Sequence, residues 1–255
     1  LLVALAALCW GLSAGVGGQL IDRGWGPFLV SFYRGAIGLV CILPWLLLRP
    51  ARVRSGDRRF WLWSGLAGLG VAGNFAFYLL SIEAVGVAVA APLMYCAPVF
   101  VYLVSVLFRD ERPSLAKATA LLLIMVGVTL LTGSYRLDSQ SLSWFGVLWG
   151  LLSGASYALF IFAFRFASGH GSAQAILAVA LLLLTIVLAG PANPGGVLDV
   201  FRSDDWWRFV LLGVLGAGVS FAIYVAGLRR TPPVVASVVA MVEPVTAVLF
   251  GVLLL

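Results

Sequence analysis

The chain has 255 residues, of which 62% are hydrophobic and only 10% charged, with a net charge of +6. Soluble domains average about 45–50% apolar and about 25% charged residues, so this composition excludes a water-soluble globule. The basic residues fall in short loops between apolar runs rather than on one face, which excludes a nucleic-acid surface and reads as membrane topology.

A spanning helix needs about 20 mostly apolar residues. Nine stretches meet this, at 1–21, 27–48, 60–81, 84–108, 114–133, 143–166, 172–190, 206–228 and 232–255, with polar turns such as Asp22-Arg23-Gly24 between them. Barrel strands would instead alternate over segments of about 10 residues. The sequence does not open on Met, so its native start is expected upstream, and segment one is too long for a signal-peptide core.

The first segment carries Trp10 and Gly11-Leu12-Ser13-Ala14-Gly15, which has the spelling of a nucleophile elbow but sits in a membrane helix. The lone histidine, His170, is in a turn, so no triad forms, and Gly11/Gly15, like Gly150/Gly154, reads as a helix-packing pair. Cys9, Cys41 and Cys96 lie within apolar runs and read as small buried hydrophobes, so neither a metal framework nor a cofactor is expected. The second segment places Arg34 about seven residues in. It either snorkels to the interface or turns a buried charge toward a cavity, pairing with Glu243 or holding a carboxylate.

The third segment has Gly70, Asn74, Tyr78 and Ser81 at spacings of 4, 4 and 3, one helical face. The eighth has Gly216, Ser220, Tyr224 and Gly227 on one face. Such stripes either glue helices together or line a solute cavity, and bulky tyrosines favour the cavity. The fourth segment contains Tyr95 and Pro98, and the ninth contains Glu243 and Pro244. Each proline breaks the helical ladder, giving either a packing kink or a hinge where carbonyls meet a solute. Trp10 and Tyr157 hold equivalent places in the first and sixth segments.

The equivalence comes from an internal repeat. Adding 146 carries Trp61 to Trp207, Phe75 to Phe221, Tyr78 to Tyr224 and Pro98 to Pro244, and in the earlier segments an offset of 147 carries Pro44 to Pro191 and Trp10 to Tyr157. Five helices per repeat would insert the second half upside down. The halves are 1–135 and 136–255, and the fifth helix has no image before Leu255, so a tenth helix is expected beyond the sequence. With the amino terminus inside, inner loops and helix ends hold eleven basic residues (Arg49, Arg52, Arg54, Arg58, Arg59, Arg109, Arg112, Lys117, Arg165, Arg229, Arg230) against four outside (Arg23, Arg136, Arg202, Arg208). That asymmetry places the amino terminus in the cytoplasm of a plasma or inner membrane.

"LCWGLSA", "FYRGAIGLV", "APVFVYLVSVLFRDERPS" and "VEPVTAVLFGVLLL" together resemble the EamA-type branch of the drug/metabolite transporter superfamily. The resemblance implies an all-α membrane protein of ten helices in two inverted repeats, exporting small amphipathic metabolites by alternating access. The aromatic-amino-acid exporters are the nearest analogy, since the polar stripe is rich in tyrosine. No enzymatic activity is implied; the partners are a small-molecule substrate and the bilayer, with transport driven either by proton exchange or by facilitated diffusion. The substrate-binding set is Tyr78, Asn74, Ser81, Tyr95, Tyr224, Ser220, Trp10 and Tyr157, with Pro98 and Pro244 as hinges and Arg34 and Glu243 as intramembrane charges. A drug exporter, a sugar-phosphate or nucleotide-sugar translocator and a non-transporting scaffold are the alternatives. The phosphate carriers would need several buried basic residues where only Arg34 is available.

Overall fold

The computed structural model describes residues 1–48, 57–133, 143–192 and 194–254, and the regular elements among them are all helical. In order they are α1 (Leu2–Asp22), α2 (Pro27–Leu48), α3 (Arg58–Val85), α4 (Val87–Met94), α5 (Ala97–Leu107), α6 (Leu115–Thr132) and α7 (Trp144–Ala167). There follow α8 (Ala173–Ala189), α9 (Pro194–Arg202), α10 (Trp206–Gly213), a π-helical turn (Val214–Val219), α11 (Ser220–Leu228), α12 (Pro233–Val239) and α13 (Val242–Leu254). Among the described residues, seven helical runs are long and apolar enough to cross a membrane, counting α4–α5 and α10–α11 as one each, and α8 and α12–α13 are shorter apolar helices. These nine match the nine segments in the sequence. Arg49, Arg52, Arg54 and Arg136, and the expected boundary between 135 and 136, lie outside the described residues.

Two of the spans are broken, and each break has a proline just after it. Between α4 and α5 the Cys96 N–H turns to Leu93 O (3.3 Å), and between α12 and α13 the Met241 N–H turns to Val238 O (3.1 Å). Pro98 and Pro244 then occupy the first turns of α5 and α13, where a missing N–H costs least. The short helix α9 was not anticipated from the sequence. Its Val200 is buried while Leu198 and Phe201 are exposed, and its Val197 carbonyl accepts from the Tyr33 hydroxyl of α2 at 2.5 Å.

In lipid, close packing and polar ties hold helices together, because apolar burial gives little advantage there. Gly68 and Gly70 bring α3 against α8 and α7: a Cβ at Gly68 would lie 2.7 Å from Ala180 O, and one at Gly70 would lie 2.9 Å from Phe160 N. Asn74 Nδ2 then donates to Ser153 O and Oγ (3.1 Å each), and Ser153 Oγ donates back to Asn74 O (2.9 Å). Further along, Ser81 Oγ donates to Gly146 O at 2.7 Å.

The two ends of the bundle are tied differently. At one, Asp205 accepts from Trp25 Nε1 (2.9 Å), Arg23 (3.2 Å) and Arg208 (2.6 Å), joining the α1–α2 turn to α10. At the other, Asp57 caps α3 by accepting from Arg59 N (2.9 Å) and meets His170 Nδ1 at 2.7 Å, while Arg165 of α7 donates to Leu228 O. The Trp25 indole N–H, with help from Arg23 and Arg208, holds the Asp205 carboxyl below its ordinary value. A carboxyl lowered in the folded state adds stability above its unfolded pKa and loses it as pH falls through the folded value. Asp205→Asn should therefore lower thermal stability at pH 7 by about 1–3 kcal/mol, the usual cost of spoiling a charged hydrogen-bond hub. It should also flatten the wild-type loss of stability below about pH 4, the ordinary range of a free aspartate. Melting of the detergent-solubilised protein across pH measures both, and equal melting temperatures at pH 7 would refute the hub.

Candidate functional site

The site forms where α1, α2, α3, α7, the π-turn with α11, and α13 converge in the interior. A small cavity there is lined by Trp10, Arg34, Phe75, Tyr157, Phe221 and Glu243, with Val71, Asn74 and Phe160 completing the wall. Its volume is about 20 Å³, room for about one water. The centre is narrow, and Arg34 and Glu243 in its wall are only partly buried.

Aromatic rings make most of the wall. Trp10 packs against Tyr224 at 4.8 Å between ring centroids, Phe221 at 5.3 Å and Tyr157 at 6.5 Å, in tilted and edge-on arrangements. Trp10, Tyr157 and Tyr224 are all buried, yet Trp10 Nε1, Tyr157 OH, Tyr224 OH and Ser220 Oγ have no hydrogen-bond partner among the described residues. The Tyr157 hydroxyl lies beside the Glu243 carboxylate but not in hydrogen-bonding geometry. Buried polar groups are rarely left unmade, and four in one place mark a site rather than a core.

Two opposite charges face this cage. Arg34 turns inward, with Nε donating to Gly216 O at 3.1 Å and its guanidinium 4.8 Å from the Phe75 ring centre. That decides between the two sequence readings: Arg34 does not snorkel. The π-turn makes the contact possible, since the wider winding of the helix redirects its carbonyls. Gly216 has to be small there, because a Cβ would sit 2.5 Å from Arg34 Nε and 2.8 Å from Ser13 Oγ. Glu243, on α13 just before Pro244, is within electrostatic reach of Arg34 and of Tyr78, Tyr95, Tyr157 and Tyr224. Of the alternatives left open for a buried Arg34, a direct pair with Glu243 is not made: it is absent from the ion pairs within 4.0 Å among the described residues.

A model of the EamA-like transporter family matches residues 1–133 and 144–255. The chain belongs to this family. An uncharacterized transporter of Archaeoglobus fulgidus is 31% identical over 226 residues, covering 87% of this chain and 76% of that protein. The uncharacterized transporter YoaV of Bacillus subtilis is 24% identical over 88% of this chain and 78% of its own length. The inner membrane transporter YicL of Salmonella typhimurium, also uncharacterized, is 26% identical over 70% of this chain and 59% of its own length. A crystal structure superposes with a TM-score of 0.72 at 20% identity, covering 98% of this chain and 86% of that one, which establishes the fold.

Within this EamA-like protein the residues singled out from the sequence divide into two groups. Trp10, Tyr157, Asn74, Arg34 and Glu243 line the cavity itself. Tyr224 packs against Trp10 and, like Ser220 one turn before it, has an unpartnered hydroxyl, and Tyr95 and Tyr78 are within electrostatic reach of Glu243. Ser81 is elsewhere, with its hydroxyl engaged by Gly146 O, and most of the Asn74 amide is committed to Ser153. Pro98 and Pro244 adjoin the helix breaks. Phe75, Phe160, Phe221 and the Gly216 carbonyl were not picked out as site residues, although Phe75 and Phe221 are a repeat pair and carried that signal.

Proposed function

We propose that this membrane transporter is a secondary exporter of small zwitterionic metabolites, aromatic or neutral amino acids first among them. One observation carries the reading: an aromatic cage holds one guanidinium and one carboxylate that are not paired with each other. A substrate ammonium would meet Glu243, its carboxylate Arg34, and its side chain the rings of Trp10, Phe75 and Phe221. A phosphate substrate fits poorly, since among the described residues a single arginine faces the cavity.

The cage is built from repeat equivalents, Trp10 with Tyr157 and Phe75 with Phe221, which supports a pair of inverted repeats. The charges are not equivalents, as Glu243 corresponds to Ala97. In this reading the narrow centre opens to either side as the halves rock about the breaks at Pro98 and Pro244, with the amino terminus in the cytoplasm and protons a candidate coupling ion at Glu243. Protein in liposomes preloaded with unlabelled amino acid should accumulate labelled phenylalanine or tryptophan by counterflow. Absence of exchange for amino acids and cationic drugs alike, at pH 6 and pH 8, would overturn the reading.

A further inference from the structure

A second space opens at the end of the bundle where the loops after α5, α7 and α11 meet. It has a volume of about 340 Å³, within the roughly 300–1,000 Å³ of small-ligand pockets. Its walls include Ser105 of α5, Asp110 and Glu111 in the following turn, Arg165 and Phe166 of α7, and Pro232 ahead of α12.

The chemistry of these walls is not used up by the fold. Glu111 is engaged by Lys117, whereas Asp110 is exposed and forms no ion pair among the described residues. Arg165 spends one N–H on Leu228 O and keeps the rest of its guanidinium. Ser105 is 1% exposed, and its hydroxyl has no hydrogen-bond partner. Its carbonyl meanwhile accepts from the N–H groups of both Asp110 (2.9 Å) and Glu111 (3.2 Å). Arg109 between them has φ 62°, a left-handed conformation unfavourable for a side-chain-bearing residue. The turn is thus held with its carboxylates over the space despite a local cost.

We propose that this space is a first binding site for the transported solute, on the path to the narrow centre, and that it selects a small molecule bearing both an ammonium and a carboxylate. Asp110 receives the ammonium, Arg165 the carboxylate, and the Ser105 hydroxyl closes the floor, with Phe166 and Pro232 flanking the side chain. A solute of one charge would leave either Asp110 or Arg165 without a counterpart. The inference rests on the transport reading, but its test does not require flux.

With Cys9, Cys41 and Cys96 replaced by alanine, Ser105→Cys gives a single reporter thiol, and Phe166→Cys gives a second at an exposed wall. Labelling of the purified protein by a small methanethiosulfonate should slow about tenfold when phenylalanine reaches ten times its dissociation constant, as single-site occupancy requires. Phenethylamine and phenylpropionate, each with one of the two charges, should protect weakly. Asp110→Asn should abolish protection, and Arg34→Gln should leave it intact while flux is lost. The proposal is overturned if neither thiol reacts, if phenylalanine protects neither, if the singly charged analogues protect equally well, or if protection disappears with Arg34→Gln. Protection without flux in the wild type would instead overturn the transport reading and leave the site standing.

Discussion

Arg34→Gln should reduce counterflow of aromatic amino acids about 10- to 100-fold while leaving the protein folded. The guanidinium is held by the Gly216 carbonyl and the Phe75 ring, and among the described residues it supplies the only cationic group lining the cavity. A hydrogen bond to a charged group contributes about 1.5–3 kcal/mol, and each 1.4 kcal/mol is a factor of ten in affinity. Glutamine keeps a donor for Gly216 O, so packing should survive and thermal stability should fall far less than transport. Glu243→Gln separates two roles for the carboxylate. If Glu243 carries the coupled proton, exchange persists but loses its dependence on pH; if it receives the substrate ammonium, exchange falls at every pH. The double variant Arg34→Gln/Glu243→Gln should regain any stability lost through the unbalanced charge, yet stay inactive. Exchange at the wild-type level in Arg34→Gln would remove the cage as the transport site.

Much of this molecule is legible in its sequence because lipid imposes strict rules. A backbone in hydrocarbon has to satisfy its own hydrogen bonds, so the apolar runs become helices, and among the described residues seven of these are long enough to cross a membrane. Repeat-paired Trp10 and Tyr157 pointed to the same interior wall. Other features depend on the facing helix, which a single sequence does not reveal. Asn74 and Ser81 lie on one stripe, but only the approach of Ser153 and Gly146 decides that both are ties. Arg34 could have snorkelled until the π-turn presented Gly216 O to it. Phe160 is hidden among sixteen phenylalanines. The Asp205 hub and the Ser105–Asp110–Arg165 space are assembled from loops far apart in the chain, and no spacing motif encodes them.

Two glycines on one helix should respond in opposite ways to the same substitution. At Gly11 of α1, an alanine Cβ would lie 2.6 Å from the Glu243 carbonyl oxygen, 2.6 Å from Thr246 Cβ and 3.0 Å from Ala247 N. Backbone cannot yield as a side-chain tip can, so α1 and α13 would be pushed apart. Overpacking of this kind costs about 1–3 kcal/mol. At Gly18, a turn or two further along, nothing lies within 4 Å. There alanine should be neutral or stabilising by up to about 1 kcal/mol, the difference in helix propensity. The melting temperature of the solubilised protein should therefore fall for Gly11→Ala and hold or rise for Gly18→Ala. Transport should follow the same order, because α13 carries Glu243 and the helix break beside it. Gly154 of α7 stands in the same relation to the other broken span, 2.9 Å from Leu93 O and 3.0 Å from Met94 O on the same measure. Gly154→Ala should accordingly behave like Gly11→Ala. If all three variants melt together with the wild type, the close crossings do not hold the broken helices, and the breaks would not be the points about which the halves move.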